Sequence, residues 1–225
     1  MARVKALGLQ GMGYCDNWFA PLEVNYHPRW RGTRSDHQRG IEKILLEIKR
    51  IHGAVGTEFG SLPGAVVCDS TCIGVPTGYI HAIRTNPHWP VTGLLDEASP
   101  VWGLALHGLT MNDAMGGPTW SNAMMSIVWG ASARDDLAAR LTAFPGVRAF
   151  DDRRCAALKA LHDLCVDRFG HLQAEELTRC VMSPDFQQLQ TTFADGTEAS
   201  ADFTAQELIV NGQRLKKPAA LLDAP

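Results

Sequence analysis

Three apolar runs in the first third of the chain each end in a carboxylate: Leu7 to Cys15 leads into Asp16, Ala54 to Thr57 into Glu58, and Ala65 to Cys68 into Asp69. A short apolar run ending in an acidic residue has the pattern of a buried strand that delivers a side chain to the carboxyl edge of a sheet, where α/β barrels place their chemistry. Two carboxylates at neighbouring strand tips suit glycosidic bond cleavage. One protonates the leaving oxygen while the other attacks the anomeric carbon or activates water. The same groups also suit a divalent cation or a helix cap. Asn17 and Trp18 follow the first tip, Arg34 and His37 flank a helix start, and His107 closes a later apolar run, Val101 to Gly108. An indole offers a face for a sugar ring to stack on, and Asn, Arg, Asp and His supply hydrogen bonds for its hydroxyls. Asp16 and Glu58 are therefore the catalytic candidates. Asn17, Trp18, Arg34, His37, Asp69 and His107 are the candidate substrate contacts.

Elements with readable start and stop signals must position these groups. Ser35-Asp36-His37-Gln38 has the form of a capping box, with Asp36 in the first turn. Ile41, Ile44, Leu45, Ile48 and Ile51 then recur at helical spacing, and Gly53 supplies the stop. Strand, helix and strand form a βαβ unit whose right-handed crossover makes the strands parallel and brings Asp16 and Glu58 to one edge. The stretch 70–100 is irregular and reads as a long loop or lid, Val101 to Gly108 as a buried strand ending in His107, and residues 119–130 as either a helix or the last strand of the sheet. Asp151 or Asp152 caps a helix with Cys155, Leu158, Leu161, Leu164, Cys165 and Phe169 inward and Gly170 as its stop, and Ala174 to Cys180 reads as a second helix. After Pro184 the pattern alternates, and Asp195-Gly196 and Asn211-Gly212 signal two-residue hairpins.

Composition narrows the function classes. With 225 residues, 45% of them hydrophobic, the chain can bury a substantial core. A net charge of -3 lacks the basic face that nucleic acid or an anionic membrane surface demands. No apolar run reaches the roughly 20 residues of a membrane span, and the N-terminus has no export signal pattern. The six cysteines form no CxxC pair and no zinc-ligand spacing, which suggests free buried thiols in a reducing, cytoplasmic setting. No cofactor is implied. A metal-dependent hydrolase or lyase using Asp16, Glu58, Asp69 and His107 is the rival reading, although no HxH or HExxH motif supports it. A non-catalytic sugar-binding remnant is the third.

Tyr14-Cys15-Asp16-Asn17, His27-Pro28, Thr33-Arg34-Ser35-Asp36, Thr57-Glu58-Phe59-Gly60, Val67-Cys68-Asp69 and Leu106-His107-Gly108, in that order, resemble the motifs of the endo-α-N-acetylgalactosaminidase-like glycoside hydrolases and their uncharacterised relatives. The resemblance runs over roughly residues 7–130 and implies a (β/α)8 barrel with Asp16 as nucleophile and Glu58 as acid/base. It also implies a retaining cleavage of an oligosaccharide or glycoconjugate. A whole barrel of this kind takes about 250 residues. The expected fold is therefore α/β, a partial TIM barrel (its C-terminal half) in residues 1–185, ending in helices. A small antiparallel β appendage in 186–225 completes it. Such a half-barrel would be a piece of a larger enzyme and would self-associate through exposed barrel edges.

Overall fold

The computed structural model describes residues 11–15, 26, 29, 31–57, 67–71, 104, 107–108, 111–115, 117–134, 151–185 and 187–222. The chain divides into two units, Met1–Ile73 and Gly74–Pro225. Most of the expected loop at 70–100 and most of the run 101–108 lie outside the described residues, as do Asp16, Asn17, Trp18 and Glu58.

In the first unit, β1 (Gly11–Cys15) and β2 (Gly53–Thr57) run parallel, joined by helix α1 (Arg34–His52). This is the βαβ unit that the caps and periodicity predict. The helix can lie close because β1 carries glycine at its centre: a Cβ on Gly13 would overlap Ile48 and come within 3.0 Å of the His52 ring. Ile41 and Leu45 bury against Val55, Val67 and Cys68, with Ile48 and Cys15 packed at the margin. Ile44, expected on the same face, is 47% exposed, so the buried stripe is narrower than the run of isoleucines suggests.

The helix also starts two residues earlier than the Ser35 box implies. Thr33 is the cap: its hydroxyl accepts from the Asp36 N–H at 3.2 Å, and the Asp36 carboxylate accepts from the Thr33 N–H at 2.8 Å. Gln38, the other half of the expected box, bonds Glu42 instead. At the far end Gly53 takes φ +93 and its N–H donates to Lys49 O, the glycine stop that was expected. The third strand differs from expectation. It is β3 (Ser70–Thr71), parallel to β2, so Asp69 stands just before a strand and not at its carboxyl tip.

The second unit opens with another parallel pair, β4 (Met111–Met115) and β5 (Ser132–Arg134), connected by α2 (Trp120–Trp129). Residues 119–130 thus resolve as a helix. The Thr119 hydroxyl accepts from the Asn122 N–H at 3.2 Å, and Gly130 ends the helix in the left-handed region. Eight of its ten residues are buried, which explains a sequence apolar on all sides.

Asp151 caps α3 (Asp152–His162), which loosens into a π-helical turn over Asp163–Arg168 and a 3₁₀ turn over Gly170–Gln173. Its inner face is Arg154, Ala157, Leu161, Leu164 and Cys165, and Cys155, expected inside, is exposed. The expected helix at 174–180 is instead strand β6 (Leu177–Met182). It forms an antiparallel meander with β7 (Gln188–Phe193), β8 (Glu198–Asp202), β9 (Glu207–Val210) and β10 (Gln213–Leu215). The sheet thus begins before Pro184. Leu177, Leu189, Phe193, Ala199, Ala201, Leu208 and Val210 point from it into the core around α2. Both expected hairpins form. Asn211 and Gly212 take φ +50 and +75 in a two-residue turn, whereas Gly196, at φ +87, ends a three-residue turn closed by the Phe193 N–H to Thr197 O bond.

Candidate functional site

The three strands of the first unit end level. Cys15 pairs with Thr57, and Thr57 with Thr71, so the strands share one carboxyl edge. The residues that follow Cys15 and Thr57 in the sequence are Asp16 and Glu58. A crossover helix runs opposite to the strands it joins. The 19 residues of α1 rise about 28 Å, against about 17 Å for a five-residue strand. Its C-terminal turns, at Ile48 and His52, lie over Gly13 in the middle of β1, so its N-terminal turn projects beyond the carboxyl edge. Arg34, exposed, and His37, half-buried with its N–H on Thr33 O at 3.0 Å, belong to that turn. Hydrogen bonds from the Thr33 N–H and hydroxyl hold the Asp36 carboxyl below the usual range.

Asp69 is placed differently. Its Oδ1 accepts from Lys49 Nζ at 2.7 Å, its Oδ2 from the Val55 N–H at 2.9 Å, and its own N–H donates to Val55 O at 2.8 Å. Partial burial pushes this carboxyl up, but the Lys49 and Val55 hydrogen bonds and the Lys49 charge together outweigh it, and the net shift is downward. Both oxygens are thereby engaged, beside the middle of β2. Lys49, absent from the sequence-derived candidates, carried no signal there, because its partner lies 20 residues on. Next to Asp69, burial first and the neighbouring Cys15 and Asp69 second push the Cys68 thiol up to about 11, so it stays protonated at neutral pH.

In the second unit His107 is 4% exposed. Its Nδ1 faces Glu175 O, its Nε2 faces Gly130 O at 3.0 Å, and the ring meets Phe193 edge to face with centroids 5.7 Å apart. Both ring nitrogens thus face main-chain carbonyls, and whichever of them carries the proton donates to its own. Among the described residues, the group able to approach a cation is His162, Asp163 and Asp167, all exposed, with both Asp163 oxygens on Lys159 Nζ. None of the sequence-derived metal ligands belongs to it.

The fold is shared with a glycoside hydrolase. Among the structures that match are those of the alpha-N-acetylgalactosaminidase NagBb from Bifidobacterium bifidum. A quadruple mutant matches with TM-score 0.64 at 18% identity, over 94% of this chain and 32% of that one. The complex with Gal-NHAc-DNJ gives 0.63 at 18% identity over 94% and 33%, and the GalNAc complex 0.61 at 20% identity over 94% and 33%. The chain spans about a third of the length of these structures. No protein-family model and no curated protein matches the sequence. No helix among the described residues is long and apolar enough to cross a membrane.

Proposed function

We propose that the chain carries glycoside hydrolase machinery of the (β/α)8 type, with Asp16 and Glu58 as its carboxylate pair. The observation that carries this reading is the level ending of β1 and β2, whose register partners Cys15 and Thr57 each precede a carboxylate. Neighbouring strands lie about 4.8 Å apart. Carboxylates one residue beyond a register pair would then stand near the roughly 5 Å separation of retaining enzymes, short of the roughly 6.5–9.5 Å that leaves room for water in inverting ones. Asp16 attacks the anomeric carbon, and Glu58 protonates the leaving oxygen and then activates the water that releases the sugar. Asn17, Trp18, Arg34 and His37, from the loop after β1 and the helix turn at the same edge, contact the sugar. The two βαβ units, β1–α1–β2 and β4–α2–β5, contribute barrel strands and helices, and the sheet from Leu177 onward is the β appendage. Asp69 and His107 hold the scaffold, because their polar atoms already face partners within it. The substrate is an oligosaccharide or glycoconjugate, and the likeness to NagBb makes an α-linked N-acetylgalactosamine the first to try.

Hydrolysis of aryl α- and β-glycosides, an α-N-acetylgalactosaminide among them, tests the reading. Asp16→Asn is expected to lose about a thousandfold in kcat, within the range of nucleophile and acid/base removals. Glu58→Gln should lose as much in kcat/KM on poor leaving groups and much less on dinitrophenyl glycosides, whose departure needs no proton, while kcat on the latter stays low because release of the sugar still needs its base. Activity unchanged in both variants would sink the assignment.

A further inference from the structure

We propose that Asp69 and Lys49 form a clip that holds β2, the strand leading to Glu58, in place on its β3 side, where the ladder is short, while β1 pairs with its other side over five residues. The effect on catalysis rests on the carboxylate-pair reading; the clip itself stands on geometry. The β2–β3 ladder has only two pairs, Gly56 with Ser70 and Thr57 with Thr71. Asp69 adds a third rung single-handedly, giving its N–H to Val55 O and taking the Val55 N–H on Oδ2. Val55 is fully buried, so no solvent can substitute for either bond. Lys49 then anchors the rung from the helix, with Nζ on Asp69 Oδ1 at 2.7 Å and on Val67 O at 3.4 Å, while its own carbonyl accepts the Gly53 N–H at the start of β2.

One lysine in the last turn of α1 thus ties together the helix end, the beginning of β2 and the approach to β3. The consequence reaches the site because Glu58 lies only three residues beyond Val55. A misplacement of about 1 Å can cost a hundredfold in rate. Asp69 and Lys49 are therefore positioning residues that act through Val55 and need not touch the sugar.

The test measures amide exchange at Val55 together with kcat and KM, in the full chain, for Lys49→Met, Lys49→Arg and Asp69→Ala. Lys49→Met is expected to speed Val55 exchange about tenfold and lower kcat about tenfold, the scale of one lost charge-assisted hydrogen bond, with KM nearly unmoved. Lys49→Arg should restore both. Asp69→Ala should exceed Lys49→Met in both effects. Unchanged Val55 exchange in Lys49→Met and Asp69→Ala would overturn the clip, and a KM that rises at constant kcat would put Asp69 on the substrate instead. If the wild-type chain cleaves no glycoside, the carboxylate-pair reading fails by itself, and Val55 exchange still decides the clip.

Discussion

At the residue scale, His107 is where a structural role and a sugar contact predict different outcomes. Its ring links the carbonyl that ends α2 to the one that precedes β6 and rests edge-on against Phe193. His107→Ala removes the ring that faces Gly130 O and Glu175 O, with the hydrogen bond its N–H makes there, and opens a cavity. The expected loss is roughly 2–4 kcal/mol in the unfolding of the second unit. His107→Phe keeps the aromatic contact and loses only the hydrogen bond, so it should fall between, by about the 0.5–1.5 kcal/mol of an aromatic pair. Urea unfolding followed by circular dichroism reads both. Wild-type stability with a raised KM would return His107 to the substrate. Nothing in Leu106-His107-Gly108 distinguishes these roles, since the two carbonyls lie 23 and 68 residues further on. Asp69 was illegible for the same reason. The parallel pairing of β1 and β2 was legible, because a capped helix between two short apolar runs leaves one topology, whereas the register that ends them level was not.

At the element scale, the ends of α2 and the rung at Asp69 make the strongest demands. Gly130 has φ +62, and a Cβ there would meet the His107 ring and come within 2.6 Å of Leu172 O, a main-chain atom with little room to yield. Gly130→Ala should therefore cost roughly 2–4 kcal/mol, whereas Gly196→Ala, also at positive φ but with open space around it, should cost only about 1–2 kcal/mol. Thermal midpoints of the two variants give the comparison; equal losses would remove the steric argument at Gly130. The depressed carboxyl of Asp69 adds a pH dependence. Its contribution to the first unit is complete above the unfolded carboxyl value near 3.9 and disappears as pH falls through the lower folded value. Acid titration of unfolding should accordingly be shallower in Asp69→Asn than in the wild type. Which elements the sequence revealed follows from similar physics. Thr33 and Ser35 each have a partner three residues on, and the Asp36 carboxylate reaches back to the Thr33 N–H. Ala174 to Cys180 has helical propensity, yet Leu177 and Phe193 bury as partners across β6 and β7, and tertiary pairing prevails. An all-apolar run such as 119–130 reads equally as buried strand or buried helix, and Thr119 and Gly130 settle it only through their bonds.

At the scale of the whole molecule, the described residues of the two units form unequal cores. Among the described residues, the first buries Ile41, Leu45, Val55, Val67 and Cys68, while Met12, Tyr14, Ile44 and Leu46 of the same unit are each more than a third exposed. The second buries nineteen residues in one cluster that includes Trp120, Trp129, Phe193 and seven leucines, with the Thr191 hydroxyl donating to Val128 O to join sheet and helix. Burial of a large apolar side chain contributes about 1.5–3 kcal/mol, so the first unit should open at the lower free energy. The strands that lead in sequence to Asp16 and Glu58, β1 and β2, belong to this first unit. Amide exchange at neutral pH should be at least about tenfold faster in the middle of α1 than in β7 and β8, and denaturant should resolve two transitions with the first unit melting first. If α1, β7 and β8 instead exchange at one common rate that follows global stability, the chain unfolds as a single cooperative body. In that case the clip at Lys49 and Asp69 would be felt throughout the molecule, and its substitution would lower protection in β7 and β8 as much as at Val55.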